Sequence, residues 1–328
     1  KPHSTLMKAI LAIAALCVVA AVAIPTREEF NSWALRHQKV YGDASESDRR
    51  FRIFQHNWLR VQHMNRQDRG DFTADNKFAD LSPAEFRQTY LSPFDGRRTG
   101  PTAKFTPRKD PLPESFNWVD EGAVLEVKDQ GSCGSCWAFS AVANMEGVNY
   151  LHGNKELIRL AESQLVDCET TSSGCSGGLM GYAFEYAIKK GMQSEESYPY
   201  KPKDRKCAYD ASEVVARFSN WTMVEEDEKV MQQVLYETGP ISVAADASKW
   251  SFYSKGIFDM SCSTNLNHGI TLVGWGTSEE GKDYWIIRNS WAADWGEEGY
   301  CRILRGKGTS LSQPGYCGIN TFACNSKV

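Results

Sequence analysis

The stretch Gln130-Gly131-Ser132-Cys133-Gly134-Ser135-Cys136-Trp137 concentrates the chemistry of the chain. Two cysteines at this spacing can form half of a zinc site, cycle as a redox pair, or supply a nucleophilic thiolate. Zinc would need two more ligands, and residues 112 to 328 hold only two histidines and no second Cys-x-x-Cys. The redox class carries its pair near a βαβ pattern, which is missing here. A nucleophile fits better. Cys136 stands where a helix is expected to begin, and the free N–H groups and dipole of a helix start favour a thiolate. Such a thiolate needs a proton partner that titrates near neutrality, and histidine is the natural one. His152 falls in a hydrophilic helix-ending turn, where solvent is its expected neighbour. His268 lies in Asn267-His268-Gly269, directly before the apolar run Ile270 to Val273 and 132 residues after Cys136, so it can face a cleft. A third group should orient the ring. Asn289, 153 residues after Cys136, follows the apolar run Tyr284 to Ile287. It could be an ordinary turn residue, yet Trp291 beside it could shield a hydrogen bond from water.

These residues need a scaffold. Ser135 to Leu151 reads as a helix stopped at His152-Gly153-Asn154, and Leu179 to Lys190 as a second helix stopped at Gly191. From Val214 onward the pattern turns to short strands: Ile241 to Ala244, Ile270 to Val273, Tyr284 to Ile287 and Tyr300 to Leu304. A helix-rich half followed by a strand-rich half predicts an α+β protein with two lobes. Upstream, Phe51, Phe54, Trp58, Val61 and Met64 recur at spacings of three and four, one apolar stripe of a helix over Ser47 to Asn65.

Charge divides the chain in the same place. Residues 24 to 111 carry 16 basic and 12 acidic side chains, and residues 112 to 328 carry 19 and 29, a split hidden inside a net charge of −4. That balance excludes a nucleic-acid binder working through overall basicity. The Pro- and Gly-bearing run Thr99 to Pro113 between the halves reads as an extended, exposed, protease-accessible linker. Met7-Lys8, the apolar run Ala9 to Ile24 and the small-x-small triplet Ala21-Val22-Ala23 read as a secretory signal peptide, with Lys1 to Leu6 a remnant before the initiator Met7. The alternative, a membrane anchor, is disfavoured because the run falls short of the roughly 20 residues a spanning helix needs. The expected division is signal 1–23, leading segment 24–111 and mature domain 112–328. Of ten cysteines one, Cys17, leaves with the signal. Nine remain, all in the mature domain, and an odd count in a secreted protein leaves one thiol for reaction. Asn220-Trp221-Thr222 is a glycosylation sequon.

The Cys-Gly-Ser-Cys-Trp signature with its downstream His and Asn resembles the papain-like cysteine peptidases, most closely the cathepsin L group, over essentially everything from Glu28 to the C-terminus. The resemblance implies a two-lobe α+β fold, with a helical left lobe and a β-barrel-like right lobe. It implies Cys136 as nucleophile, His268 as acid and base, Asn289 as its orienter, and an oxyanion hole from Gln130 with the Cys136 N–H. It also implies a resting thiolate–imidazolium pair and no cofactor or metal. Glu46, Arg50, Phe54, Asn57, Val61 and Asn65 match the family's helical propeptide motif, with Val61 where Ile is usual. Asn76, Phe78 and Asp80 match its second motif, with Ala74 in place of Gly. The leading segment then runs through the cleft in the non-productive direction, as an intramolecular inhibitor. Gly177 and Gly178 belong to a glycine-rich wall. Leu179, Met180, Ala244 and Leu266 line the pocket for the second residue before the scissile bond, with Phe322 at its floor and Trp291 beside the site. That pocket should prefer hydrophobic residues, smaller ones if Phe322 fills it. The implied disulfides are Cys133–Cys175, Cys168–Cys207 and Cys262–Cys317; Cys301 and Cys324 could form a fourth or stand as two thiols. The implied enzyme is a zymogen-borne endopeptidase acting on proteins and peptides through a thioester. It would be monomeric, open to cystatin-like inhibitors, and bound for a lysosome-like compartment or the cell exterior. Exopeptidase relatives use paired histidines on an occluding loop or a disulfide-tethered propeptide fragment, and the histidine and cysteine placement here offers neither. A silent scaffold protein is argued against by the intact Cys136, His268, Asn289 and Gln130, while transpeptidation differs only in whether an amine or water attacks.

Overall fold

The computed structural model describes residues 23–94, 100–106, 108–310 and 312–328. Nearly all of the expected signal segment, with Cys17, lies outside these residues. Among the described residues no helix is long and apolar enough to cross a membrane.

The leading segment folds as three helices: α1 (Arg27–Arg36), α2 (Ala44–Asn65) and α3 (Pro83–Tyr90). Local chemistry sets their starts. Thr26 with Glu29 and Ser82 with Glu85 form reciprocal capping boxes, Asp43 caps α2, and Pro83 opens α3 at a position that needs no N–H. The stripe foreseen on α2 closes onto α1 where Phe51 and Phe54 meet Phe30 and Phe54 meets Trp33, and its Val61 and Met64 are buried in the same core.

The mature part has two cores. In the first, α4 (Cys136–His152) is buried on every side from Cys136 to Asn149, as expected of a helix that is apolar all round. It packs against α5 (Glu162–Cys168) and α6 (Met180–Lys190), the latter stopped by Gly191 at φ 78°, a left-handed geometry suited to glycine. The second core lies on a sheet ordered Asn220–Met223, Ala323–Lys327, Ile241–Ala245, His268–Thr277, Asp283–Arg288, Tyr300–Leu304 and Ile257–Phe258, with Phe116–Asn117 pairing off this path; α7 (Glu228–Thr238) also touches the strand His268–Thr277. The strands foreseen at 241, 270, 284 and 300 are all present, and the second extends back to begin at His268 itself.

Among the described residues the two parts dock through aromatic and backbone contacts more than through charge. Asp71–Phe72 pairs antiparallel with Tyr253–Lys255, and Asn76 Nδ2 donates to Ser251 O at 2.8 Å. Phe78 and Phe86 set their rings edge-on to Trp291 at 5.6 and 5.3 Å. Among the described residues the charge asymmetry yields few direct pairs, chiefly Lys77 with Asp129 at 3.0 Å and Arg108 with Glu237 at 3.2 Å, each partly exposed and so individually weak. The linker is extended and largely exposed as expected, yet it is not loose where it starts. Met223 donates to Pro101 O and Ala103 donates to Met223 O, which holds Pro101–Ala103 along a sheet edge.

Three disulfides join Cys133 to Cys175, Cys168 to Cys207 and Cys262 to Cys317. Cys301 and Cys324 do not bond to each other, which corrects the fourth bridge entertained above. Their strands, Tyr300–Leu304 and Ala323–Lys327, are four places apart in the sheet, roughly 19 Å at the usual strand spacing and well beyond disulfide reach. Cys301 belongs to the sheet core and Cys324 to the α4 core.

Candidate active site

Cys136 opens α4 and is fully buried. Its Sγ lies 3.4 Å from the Gly269 N–H, which brings it against the residue after His268. His268 is the first residue of its strand, locked by pairing with Ala245, so its side chain is set by a sheet and not by a loop. Its Nε2 lies 2.7 Å from Asn289 Oδ1. An amide oxygen only accepts, so Nε2 carries the proton. Nδ1, buried with no hydrogen-bond partner, is then the unprotonated nitrogen left for the thiol. Trp291 stacks on the imidazole at 4.6 Å and 25°, and Trp250 meets it edge-on at 6.4 Å, keeping water from the His268–Asn289 bond.

Gln130, six residues before Cys136, is also fully buried. Ser290, next to Asn289, grips it twice: Gln130 N–H donates to Ser290 O at 2.9 Å, and Ser290 Oγ donates to Gln130 Oε1 at 2.7 Å. With Oε1 so occupied, Nε2 must face the cleft. It donates to Cys133 O at 2.9 Å and to Tyr90 O, the last residue of α3, at 3.2 Å.

The chain leaving α3 fills the cleft. Ser92 N–H donates to Asn267 O at 2.8 Å, Ser92 Oγ to Gly134 O at 3.0 Å, and Phe94 N–H to Leu266 O at 3.1 Å. Two glycines make room for it: a Cβ at Gly134 would stand 2.5 Å from Ser92 Oγ, and one at Gly177 would stand 3.0 Å from Ser92 Cβ. Gly178 lies deeper, backed by Ser172 and Trp137. Phe94 joins the buried cluster that includes Leu179, Met180, Ala244, Leu266 and Phe322, its ring edge-on to Phe322 at 6.1 Å. These cleft-filling residues carried no sequence signal beyond an aromatic inside a Pro- and Gly-rich run.

Burial in this closed form opposes the ion pair expected of the open site. Burial pushes the Cys136 thiol up to about 11, although N–H groups of Gly269, Trp137 and Cys136 itself favour the thiolate. Burial also pulls His268 down to about 4 against the Asn289 hydrogen bond. Beneath the leading segment, thiol and neutral imidazole are therefore favoured over the ion pair. Cys133, bonded to Cys175, is not available as a metal ligand.

Sequence reasoning missed a buried cluster two residues before Gln130. Lys128 Nζ lies 2.9 Å from Glu162, 3.1 Å from Glu146 and 3.1 Å from Glu195. Lys128 O accepts Ala292 N–H at 3.1 Å, which ties this cluster to the Trp291 segment. The three carboxylates lie far apart in sequence, so no local pattern announces them.

A masked thiol at a helix start, a histidine held by a buried amide and a chain segment lying across both define a thiol protease kept in a closed precursor. Comparison with known proteins gives the family. Residues 112–326 match the papain family cysteine protease model, and residues 30–86 match the cathepsin propeptide inhibitor domain. The chain belongs to the papain family of cysteine proteases and carries that family's propeptide. It is 42% identical over 312 residues to cysteine protease XCP2 of Arabidopsis thaliana, covering 90% of this chain and 85% of that one. It is 40% identical over 316 residues to digestive cysteine proteinase 3 of Homarus americanus, covering 92% and 97%. Among solved structures, a recombinant stem bromelain precursor superposes with a TM-score of 0.83 at 34% identity over 92% of this chain and 98% of that one. Digestive procathepsin L 3 of Tenebrio molitor larval midgut gives 0.81 at 34% identity over 92% and 99%.

Proposed function

We propose that residues 112–328 form an endopeptidase that works through a thioester once residues 24–111 are released. In the open site the Cys136 proton passes to His268 Nδ1, and the thiolate attacks a peptide carbonyl. Charge developing on the carbonyl oxygen is met by Gln130 Nε2 and the Cys136 N–H. The imidazolium gives its proton to the leaving amine as the C–N bond breaks, which leaves a Cys136 thioester. Water, deprotonated by His268, then attacks the thioester and restores the thiol. Asn289 holds the imidazole in the required tautomer throughout.

The observation that carries this reading is the contact from Gln130 Nε2 to Tyr90 O. The proposed oxyanion donor already holds a backbone carbonyl of the leading segment, two residues before Ser92, whose hydroxyl reaches the thiol. The order of contacts supports inhibition by reversed binding: Phe94 in the pocket is C-terminal to Ser92 at the thiol, whereas a substrate's pocket residue precedes its scissile bond. Phe94 also supports a hydrophobic preference that extends to aromatic residues, because Phe322 leaves room for a second phenyl ring. Three disulfides favour the secretory route, ending in a lysosome-like compartment or outside the cell. Asn220 is exposed and open to glycosylation. The enzyme would act as a monomer, with cystatin-like inhibitors competing for the same cleft.

Kinetics of Gln130→Ala test the assignment. In the activated enzyme kcat should fall about 10²–10³-fold, with KM little changed. A wild-type kcat would remove Gln130 from the mechanism.

A further inference from the structure

Tyr200 touches both halves of the proposed oxyanion site from behind. Its hydroxyl lies 2.7 Å from the backbone oxygen of Gln130 and 2.8 Å from the side-chain oxygen of Ser135, the residue before Cys136. A carbonyl can only accept, so Tyr200 spends its one proton on Gln130 O, and the Ser135 hydroxyl must donate to Tyr200. This direction accounts for an oddity of α4. Serine is a preferred helix cap, yet Ser135 at the start of α4 makes no side-chain capping bond. Its hydroxyl is drawn away to the phenol, while Ala138 N–H bonds to Ser135 O at 2.9 Å and the Cys136 and Trp137 N–H groups face the Cys136 sulfur.

The phenol is itself fixed. Its ring meets Phe139, one turn into α4, edge-on at 4.8 Å, and the next residue, Lys201, donates its backbone N–H to Ser163 Oγ at 3.0 Å. Burial raises the phenol well above its ordinary range, so it remains a donor at every working pH. From these contacts the geometry points to Tyr200 as a positioning residue. It is a strut that sets the distance between Gln130 and the first N–H of α4, and hence the width of the oxyanion site. The inference rests on the reading of Gln130 given above.

The test uses the full chain, activated, with Tyr200→Phe, Ser135→Ala, the double variant and Gln130→Ala. Tyr200→Phe should lower kcat roughly five- to tenfold with KM within about twofold, the scale of one lost hydrogen bond. Affinity for a peptide aldehyde, whose thiol adduct places an oxyanion in the same site, should fall by the same factor. Labelling of the thiol by a peptidyl epoxide, which needs no oxyanion donors, should stay within about twofold. The double variant should be no worse than Tyr200→Phe alone, because both changes cut one chain of hydrogen bonds. Unchanged kcat and aldehyde affinity in Tyr200→Phe would overturn the inference, and so would equal losses of activity, epoxide labelling and thermal midpoint. Should Tyr200→Phe not fold, Ser135→Ala reads the same link, and a wild-type aldehyde affinity there would be equally fatal. If Gln130→Ala keeps its aldehyde affinity, the underlying oxyanion reading fails. If it loses affinity while Tyr200→Phe does not, only the strut fails.

Discussion

Phe94 of the leading segment lies edge-on to Phe322 of the mature domain, ring centroids 6.1 Å apart, inside the pocket beside the thiol. On the function proposed above, this side chain acts as a pocket plug and contributes part of the propeptide's inhibition. Phe94→Ala should weaken closure by about 2 kcal/mol or more, on the scale of a buried aromatic anchor, which corresponds to roughly thirtyfold. The measurement is epoxide labelling of Cys136 in the unprocessed chain at pH 7. Labelling should be faster in Phe94→Ala, and an unchanged rate would mean that the plug contributes nothing to latency.

On the same proposal this pocket sets selectivity. Leu179, Met180, Ala244, Leu266 and Phe322 place no charge around Phe94. Peptide-library profiling of the activated enzyme should show Phe and Leu favoured at the second position before the cut, with Arg poor. A preference for Arg would contradict the pocket assignment.

A distinct prediction concerns neutral pH. Lys128 faces the three carboxylates of Glu146, Glu162 and Glu195, with Arg159 also reaching Glu195 and Tyr200 nearby. One ammonium cannot neutralise three anions, and burial, the largest influence, raises Glu162 to about 7. A folded-state value above the ordinary one gives stability that is fully present below about 4.5 and is lost as pH rises through about 7. Urea midpoints of the activated enzyme should therefore fall as pH rises from about 4.5 to about 7 and level off above that, and Glu162→Gln should flatten that slope. A slope unchanged by Glu162→Gln would assign the effect elsewhere. Removing the cation is harsher. Lys128→Met leaves carboxylates buried and unpaired, and should cost about 3–5 kcal/mol in thermal or urea denaturation.

Acid release of the propeptide follows a related argument. Converting thiol and neutral imidazole to the ion pair moves a proton within the site and takes none from solvent. Any acceleration of opening at low pH must therefore come from titratable groups elsewhere, carboxylates among them. In the propeptide, Glu46 and Glu85 are both lowered to about 2, Glu46 chiefly by hydrogen bonds from Arg49 and Arg50, and Glu85 by Ser82 and Arg49 against the opposing effect of burial. Their contribution is present above about 4.5 and is lost as pH falls toward 2. Arg50→Gln should shift the loss of latency to higher pH, read as epoxide labelling of the full chain from pH 3 to 7. Superimposable profiles would exclude this network.

Much of the site was legible because its members announce themselves locally. Cys136 precedes a run apolar enough to be a buried helix, and His268 and Asn289 each adjoin an unmistakable strand. The element order followed from the same periodicities. What stayed hidden depends on contacts distant in sequence. Phe94 gains its role only by meeting Phe322, and Lys128 only by meeting carboxylates on and near α4 and α5. Ser135 looks like an ordinary helix cap until Tyr200 is placed behind it. Cys301 and Cys324 invited pairing by count, but sheet order decides the matter and sequence does not print sheet order.

The central claim is that Cys136 is a nucleophile masked by the segment before it. The most direct measurement is to hold the purified full chain at pH 4 to 5 with a thiol reductant and follow both its mass and its labelling by a peptidyl epoxide. The expected result is loss of the leading segment and one label per chain, absent from Cys136→Ala. A chain that stays intact and unlabelled, or a label that persists in Cys136→Ala, would contradict it.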